Sequence, residues 1–140
     1  MDNILKLDRL SKAFGAVKVA DELSYEVPRG EALGVIGPNG AGKTSMFHLI
    51  TGTLSANAGS ITFDGQDVSR ASAAKRCRAG VARSFQVPQP FTHMTVFENA
   101  MVAATQAAGL RERAAEKLCL EVLEQTELMD KANTAAGALT

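Results

Sequence analysis

The segment GPNGAGKT, residues 37 to 44, constrains this chain more than any other stretch. It meets the pattern G-x-x-x-x-G-K-[ST] at Gly37, Gly42, Lys43 and Thr44. That pattern asks for a strand ending in a loop whose successive amides converge on an anion, and for a helix starting where the loop stops. Gly37, Gly40 and Gly42 permit unusual backbone angles and close approach of a phosphate. The flanks agree with this demand. EALGVIG (31–37) is apolar at Ala32, Leu33, Val35 and Ile36, as expected of a strand buried on both faces. KTSMFHLITG (43–52) reads as a helix with Met46, Phe47 and Ile50 on one side and Gly52 as its stop. The candidate nucleotide-binding residues are therefore Gly37, Pro38, Asn39, Gly40, Ala41, Gly42, Lys43, Thr44 and Ser45. Lys43 would reach the β- and γ-phosphates as a mobile charge, and the Thr44 hydroxyl would ligate Mg²⁺. Ser45 is a candidate for a further phosphate contact.

Before the loop, residues 4–10 and LSYEV (23–27) alternate apolar and polar, the signature of strands with one wet face. Pro28-Arg29-Gly30 is a turn. After the loop, SITFDGQDV (60–68) reads as a strand entering an Asp64-Gly65 hairpin turn. Residues 70–79 are short and helical, and their basic run Arg70, Lys75, Arg76 and Arg78 is expected to face solvent. VARSF (81–85) reads as another strand, and QVPQPFTHM (86–94), with two prolines, as a loop. Thr95 and Glu98 are spaced to cap each other's free amides at a helix start. Residues 111–129 carry Ala115, Leu118, Cys119, Val122 and Leu123 at helical spacing. The tail KANTAAGALT is small and polar, without a clear terminating element.

Composition narrows the function classes. Fifteen basic and fifteen acidic side chains cancel, so no general pull toward nucleic acid or anionic lipid is expected. A hydrophobic content of 46% describes a globular chain. No apolar run approaches the ~18 residues of a membrane span, and the N-terminus does not read as a signal peptide. Cys77 and Cys119 lie far apart and read as free thiols. The expected setting is cytoplasmic, with any membrane connection made through a partner.

Many families share the phosphate loop. A GTPase would add D-x-x-G and N-K-x-D, and neither occurs. A small kinase would add an arginine-rich lid, and only Arg111 and Arg113 lie close together late in the chain. LSKAFG (10–15) before the loop and VARSFQ (81–86) after it complete an ordered set. With the loop, they resemble the ATP-binding subunit of ABC transporters over the whole chain, as its N-terminal portion. The run GVARSFQ, PF and MTVFENAMVA is similar to the subgroup that imports branched-chain amino acids and related amides.

The resemblance implies further roles. Phe14 matches the aromatic that stacks on adenine, with Val19 beside the base; a strand-end Phe packed in the core is the alternative. Gln86 matches the glutamine that reaches Mg²⁺ or the attacking water, so Lys43 and Gln86 are the candidate catalytic residues and Thr44 and Gln86 the candidate metal ligands. Residues 87–97 correspond to the region leading to the transmembrane permease subunits. Their apolar Phe91, Met94 and Phe97 either form that docking surface or pack beneath a helical subdomain. A second nucleotide-binding subunit, identical or different, is implied as well. So is a peripheral location on the cytoplasmic face of the membrane.

The family also uses an apolar strand ending in Asp-Glu, a later histidine and an LSGGQ-like signature. ITFD (61–64) is the nearest approach to the first, and Asp64 reads better as a turn residue. The only histidines are His48 and His93, and AAGALT resembles the lead-in to the signature, with Leu139 and Thr140 as its first positions. The expectation is a partial domain, 1–86 the β subdomain and phosphate-loop core and 87–140 the start of a helical subdomain. Such a chain would bind nucleotide weakly, if at all, and not hydrolyse it alone, and its open sheet edges would be covered by self-association or left partly disordered. The fold class expected is α/β, a phosphate-loop ATPase core with an N-terminal antiparallel β subdomain and its C-terminal half absent. The readings from other classes are an ABC-type ATPase of repair or translation and a non-catalytic nucleotide-binding fragment.

Overall fold

The computed structural model describes residues 2–139, and Thr140 lies outside them. The chain divides into two compact units, Met1–Arg76 and Cys77–Thr140.

The first unit is built on an antiparallel sheet. Strands β1 (Asn3–Phe14) and β2 (Val17–Pro28) form a long hairpin, with Leu7 opposite Tyr25 and Phe14 opposite Val17. Strand β3 (Ala58–Phe63) pairs with the other edge of β1, and the short β4 (Gln66–Asp67) pairs with β3, giving the order β2-β1-β3-β4. Asp64 and Gly65 join β3 to β4 with φ of 47° and 72°. Two positive values are what a type I′ turn requires, and its twist matches that of the strands. The Asp64 carboxylate is also gripped by Arg29, which reaches Asp2 as well.

Helix α1 (Lys43–Thr51) lies against one face of this sheet and ends at Gly52, whose left-handed backbone closes the last turn. Leu7, Leu10, Leu49, Ile61 and Val68 form the buried cluster, with Tyr25, Ile50 and Phe63 packed around it. Each fully buried leucine contributes about 2 kcal/mol of burial. The face of α1 that turns inward carries Met46 and Leu49, and Phe47, expected beside them, is 43% exposed. Position 47 projects away from the sheet, because the helix has sheet on one side only.

Two expected strands are not formed. Residues 31–37 pair with no strand, and Ile36 is 97% exposed. Residues 81–85 are irregular too. A strand buried on both faces depends on neighbours at both edges. Among the described residues, no strand offers these two segments such an edge.

Helix α2 (Ala73–Arg78) falls where expected, and the division between the units lies within it. Its Arg76 is not solvated as the basic run suggested: it is 2% exposed. In the second unit, α3 (Val96–Val102) continues into a π-helical turn (Ala103–Ala107) and is followed by α4 (Glu112–Gln125). Ala104, Ala115 and Cys119 are its buried cluster, joined by Phe97, Met101 and Leu110. The reciprocal cap is present: the Glu98 amide donates to the Thr95 hydroxyl at 3.1 Å, and the Thr95 amide to the Glu98 carboxylate at 2.7 Å. The tail is not loose. It runs antiparallel to residues 92–97, with Ala136 donating to the Met94 carbonyl and Val96 to that of Thr134. Cys77 and Cys119 are free thiols, and burial raises the pKa of Cys119.

Candidate functional site

The phosphate loop leaves the exposed segment 31–37 and runs into α1. Gly40 and Gly42 both adopt left-handed angles, φ 82° and 84°. Gly42 is the residue before α1, and no side chain caps that helix start. The first-turn amides of Lys43, Thr44 and Ser45 have no acceptor within the helix by construction. They stand at the positive end of the helix dipole as unclaimed donors. Ala41 closes a turn on the Pro38 carbonyl, which folds the loop back over the helix end.

Lys43 completes the charge pattern. Its ammonium donates to the carbonyls of Gly37 and Pro38, at 2.5 and 2.7 Å, and so is held over the loop instead of extending into solvent. Thr44 is exposed and Ser45 half-buried, both in the first turn. Amide donors, a helix end and one ammonium are the groups that anion binding uses. Among the described residues, no cluster of three or more His, Cys, Asp or Glu could hold a metal. A divalent cation here would therefore depend on phosphate oxygens and on a hydroxyl such as that of Thr44. This donor set fits Mg²⁺, which is commonly held jointly by protein and substrate phosphates.

Val19 meets the loop through its backbone. A β-carbon at position 42 would lie 2.4 Å from the Val19 carbonyl oxygen, so β2 presses directly on the start of α1. Phe14 is on the same hairpin, at the end of β1, and is 53% exposed. It is not a core residue, which removes the packing alternative. Lys12 places its ammonium 5.0 Å from the centre of the Phe14 ring, an arrangement favourable on electrostatic grounds. Lys12 was not anticipated from sequence; its place two residues before an exposed aromatic on one strand is the signal that points to it.

Gln86 lies in the second unit, exposed, in the irregular segment after Phe85. Further along, Val87 and Phe91 are 70% and 58% exposed, whereas Phe97 packs into the helical cluster and Met94 is half-buried. Of the three apolar residues Phe91, Met94 and Phe97, Phe97 packs beneath the helices and Phe91 stays exposed. Asn99 holds the middle of this stretch: its side chain accepts from the Phe91 amide at 2.8 Å and donates to the carbonyls of Phe91 and Thr95 at 3.1 and 2.9 Å.

Comparison with known proteins agrees with this arrangement. Residues 20–139 match the family model described as ABC transporter. The "Probable branched-chain amino acid transport ATP-binding protein LivG" of Methanocaldococcus jannaschii is 38% identical over 99 residues, covering 71% of this chain and 38% of its own length. The "Sulfate/thiosulfate import ATP-binding protein CysA" of Bordetella pertussis is 42% identical over 104 residues, covering 74% of this chain and 27% of that protein. A solved ATP-binding cassette of an ABC transporter in its ADP conformation superimposes with a TM-score of 0.79 at 30% identity, over 100% of this chain and 60% of that one. The chain spans about half the length, or less, of the curated relatives it matches first. The phosphate loop on α1, the antiparallel sheet beside it and the helices after it are the N-terminal portion of a cassette, and the chain belongs to the ABC transporter family.

Proposed function

We propose that this chain is the nucleotide-binding portion of an importer subunit that couples ATP binding and hydrolysis to membrane transport of a small solute. The observation that carries the reading is the loop itself: left-handed Gly42 seated on Val19, an uncapped helix start, and Lys43 held above it. ATP takes its phosphates in residues 37–45 and its base against Phe14 and Val19. Mg²⁺ would neutralise phosphate charge when bound, with the Thr44 hydroxyl as a protein ligand. For Gln86, in the second unit, the resemblance implies ligating the metal or orienting the attacking water.

Branched-chain or related amino acids are the proposed cargo, supported by the likeness to LivG and by the run from Gly80 to Ala103. The permease subunits are the proposed partners of residues 87–97, where Val87 and Phe91 are exposed. A second nucleotide-binding subunit would complete the ATPase. None of the described helices is long and apolar enough to cross a membrane, which suits a peripheral subunit on the cytoplasmic face.

Calorimetric titration of the chain with ATP and Mg²⁺ tests the central claim. Binding in the wild type, lost in Lys43→Ala, is the expected result. No binding by a folded wild type, or equal binding by Lys43→Ala, would refute it. Turnover is expected to be undetectable from this chain alone, because after the phosphate loop its sequence holds neither an apolar run ending in Asp-Glu nor a complete signature.

A further inference from the structure

Arg76 is the one buried charged side chain among the described residues, and its partners are all backbone carbonyls. One terminal nitrogen donates to Leu49 at 2.6 Å and Ile50 at 2.9 Å, both in the last turn of α1. The other donates to Ser69 at 3.0 Å, and Nε to Ala71 at 3.1 Å. The guanidinium therefore bridges the far end of the phosphate-loop helix and the segment that follows β4. The last carbonyls of a helix have no intrahelical donor and carry its negative pole. A planar fork of donors bearing a positive charge meets both needs while its other two nitrogens reach Ser69 and Ala71, a spread of contacts that a single ammonium does not match.

This gives α1 two anchors. At its start, Gly42 rests against the Val19 carbonyl of β2. At its end, Arg76 ties it to residues 69–71. A helix of nine residues is only about 13 Å long, so releasing one end tilts the other. A phosphate-binding nest is sensitive to such tilt, since its donors must converge on fixed oxygen positions.

We propose that Arg76 is a positioning residue for the phosphate loop: by fixing the carbonyl end of α1 to Ser69 and Ala71, it sets the aim of the amides at residues 42–45, without itself touching nucleotide. The inference rests on the nucleotide-binding reading above. It assigns a positioning role to a residue in a basic run that otherwise looks like a solvated helix face.

The test compares wild type, Arg76→Met, Arg76→Lys and Lys43→Ala as whole chains, titrated in Mg²⁺ with ATP, with inorganic tripolyphosphate and with adenosine. Circular dichroism gives the folded fraction to which each titration is referred. Arg76→Met is expected to weaken ATP and tripolyphosphate by about tenfold, the scale of a lost charged hydrogen bond, while adenosine is unchanged. Arg76→Lys, keeping the charge without the fork, is expected to recover part of that loss. Wild-type affinities for tripolyphosphate in both variants overturn the proposal, as does an equal loss for all three ligands, which would mark a purely structural residue. Should Arg76→Met fail to fold, Arg76→Lys carries the comparison, with a loss of about threefold for tripolyphosphate expected and none overturning the proposal. A wild type that binds neither ATP nor tripolyphosphate instead sinks the underlying nucleotide-binding reading, and the proposal with it.

Discussion

The α-carbon of Gly42 faces the carbonyl oxygen of Val19 so closely that any β-carbon there would stand 2.4 Å from it. The same residue has φ 84°, a backbone state that costs a side-chain-bearing residue about 1–2 kcal/mol. Two separate constraints thus converge on one glycine, and they tie the β1–β2 hairpin, which carries Phe14, to the start of the phosphate-loop helix.

Gly42→Ala should therefore lower the unfolding free energy by about 2–4 kcal/mol, the range in which backbone strain and a steric clash combine. Urea unfolding measures this, and nucleotide titration of the remaining folded protein should show weakened binding. Wild-type stability would mean that β2 does not press on the loop as described.

Phe14→Ala should behave in the opposite way. The ring is 53% exposed, so stability should change by no more than about 0.5 kcal/mol. ATP affinity should fall by about tenfold, within the ~1–3 kcal/mol that base–aromatic stacking supplies. Tripolyphosphate, having no base, should bind as before; an unchanged ATP affinity would remove Phe14 from the site.

The cap on α3 makes a prediction in pH. The Glu98 carboxyl is held below its ordinary value of 4.5, chiefly by the Thr95 amide and then by the Thr95 hydroxyl contact. A depressed carboxyl contributes stability that is present above the ordinary glutamate range and lost as pH falls through the lowered value. Glu98→Gln should flatten the acid limb of unfolding below about pH 4.5. Thr95→Ala should cost about 1 kcal/mol near neutrality. A wild-type acid limb in Glu98→Gln would contradict the reciprocal cap.

Asn99→Ala should release the loop before α3. With the Asn99 amide gone, the Phe91 amide loses its acceptor, and the carbonyls of Phe91 and Thr95 lose a donor. Hydrogen exchange at Phe91 should accelerate, whereas exchange in β1 and β3 should not; equal protection of Phe91 in both proteins would refute this role.

What the sequence made legible was local. The Asp64-Gly65 turn and the Thr95–Glu98 cap each depend on residues a few positions apart, and both have the expected form, as does the helix that begins after Gly42. Segment 31–37 was misread because a buried strand is defined by its neighbours, and Ile36 has none among the described residues. Arg76 was misread for a similar reason. Its own short helix gives no hint that the end of α1 arrives beside it, presenting the carbonyls of Leu49 and Ile50. Phe47 followed the apolar count, although only one side of α1 has sheet against it.

The pairing of the tail with residues 92–97 bears on the order in which the second unit assembles. Val96 and Phe97 bond to Thr134 and Ala132, and Ala136 and Gly137 return to Met94 and Thr92. These bonds close a ring of about forty residues, whose closure entropy must be met before the contacts are made. Helices α3 and α4 can pack first, because their contacts are nearer in sequence. On this ordering the tail is expected to close last, as a latch over helices already packed.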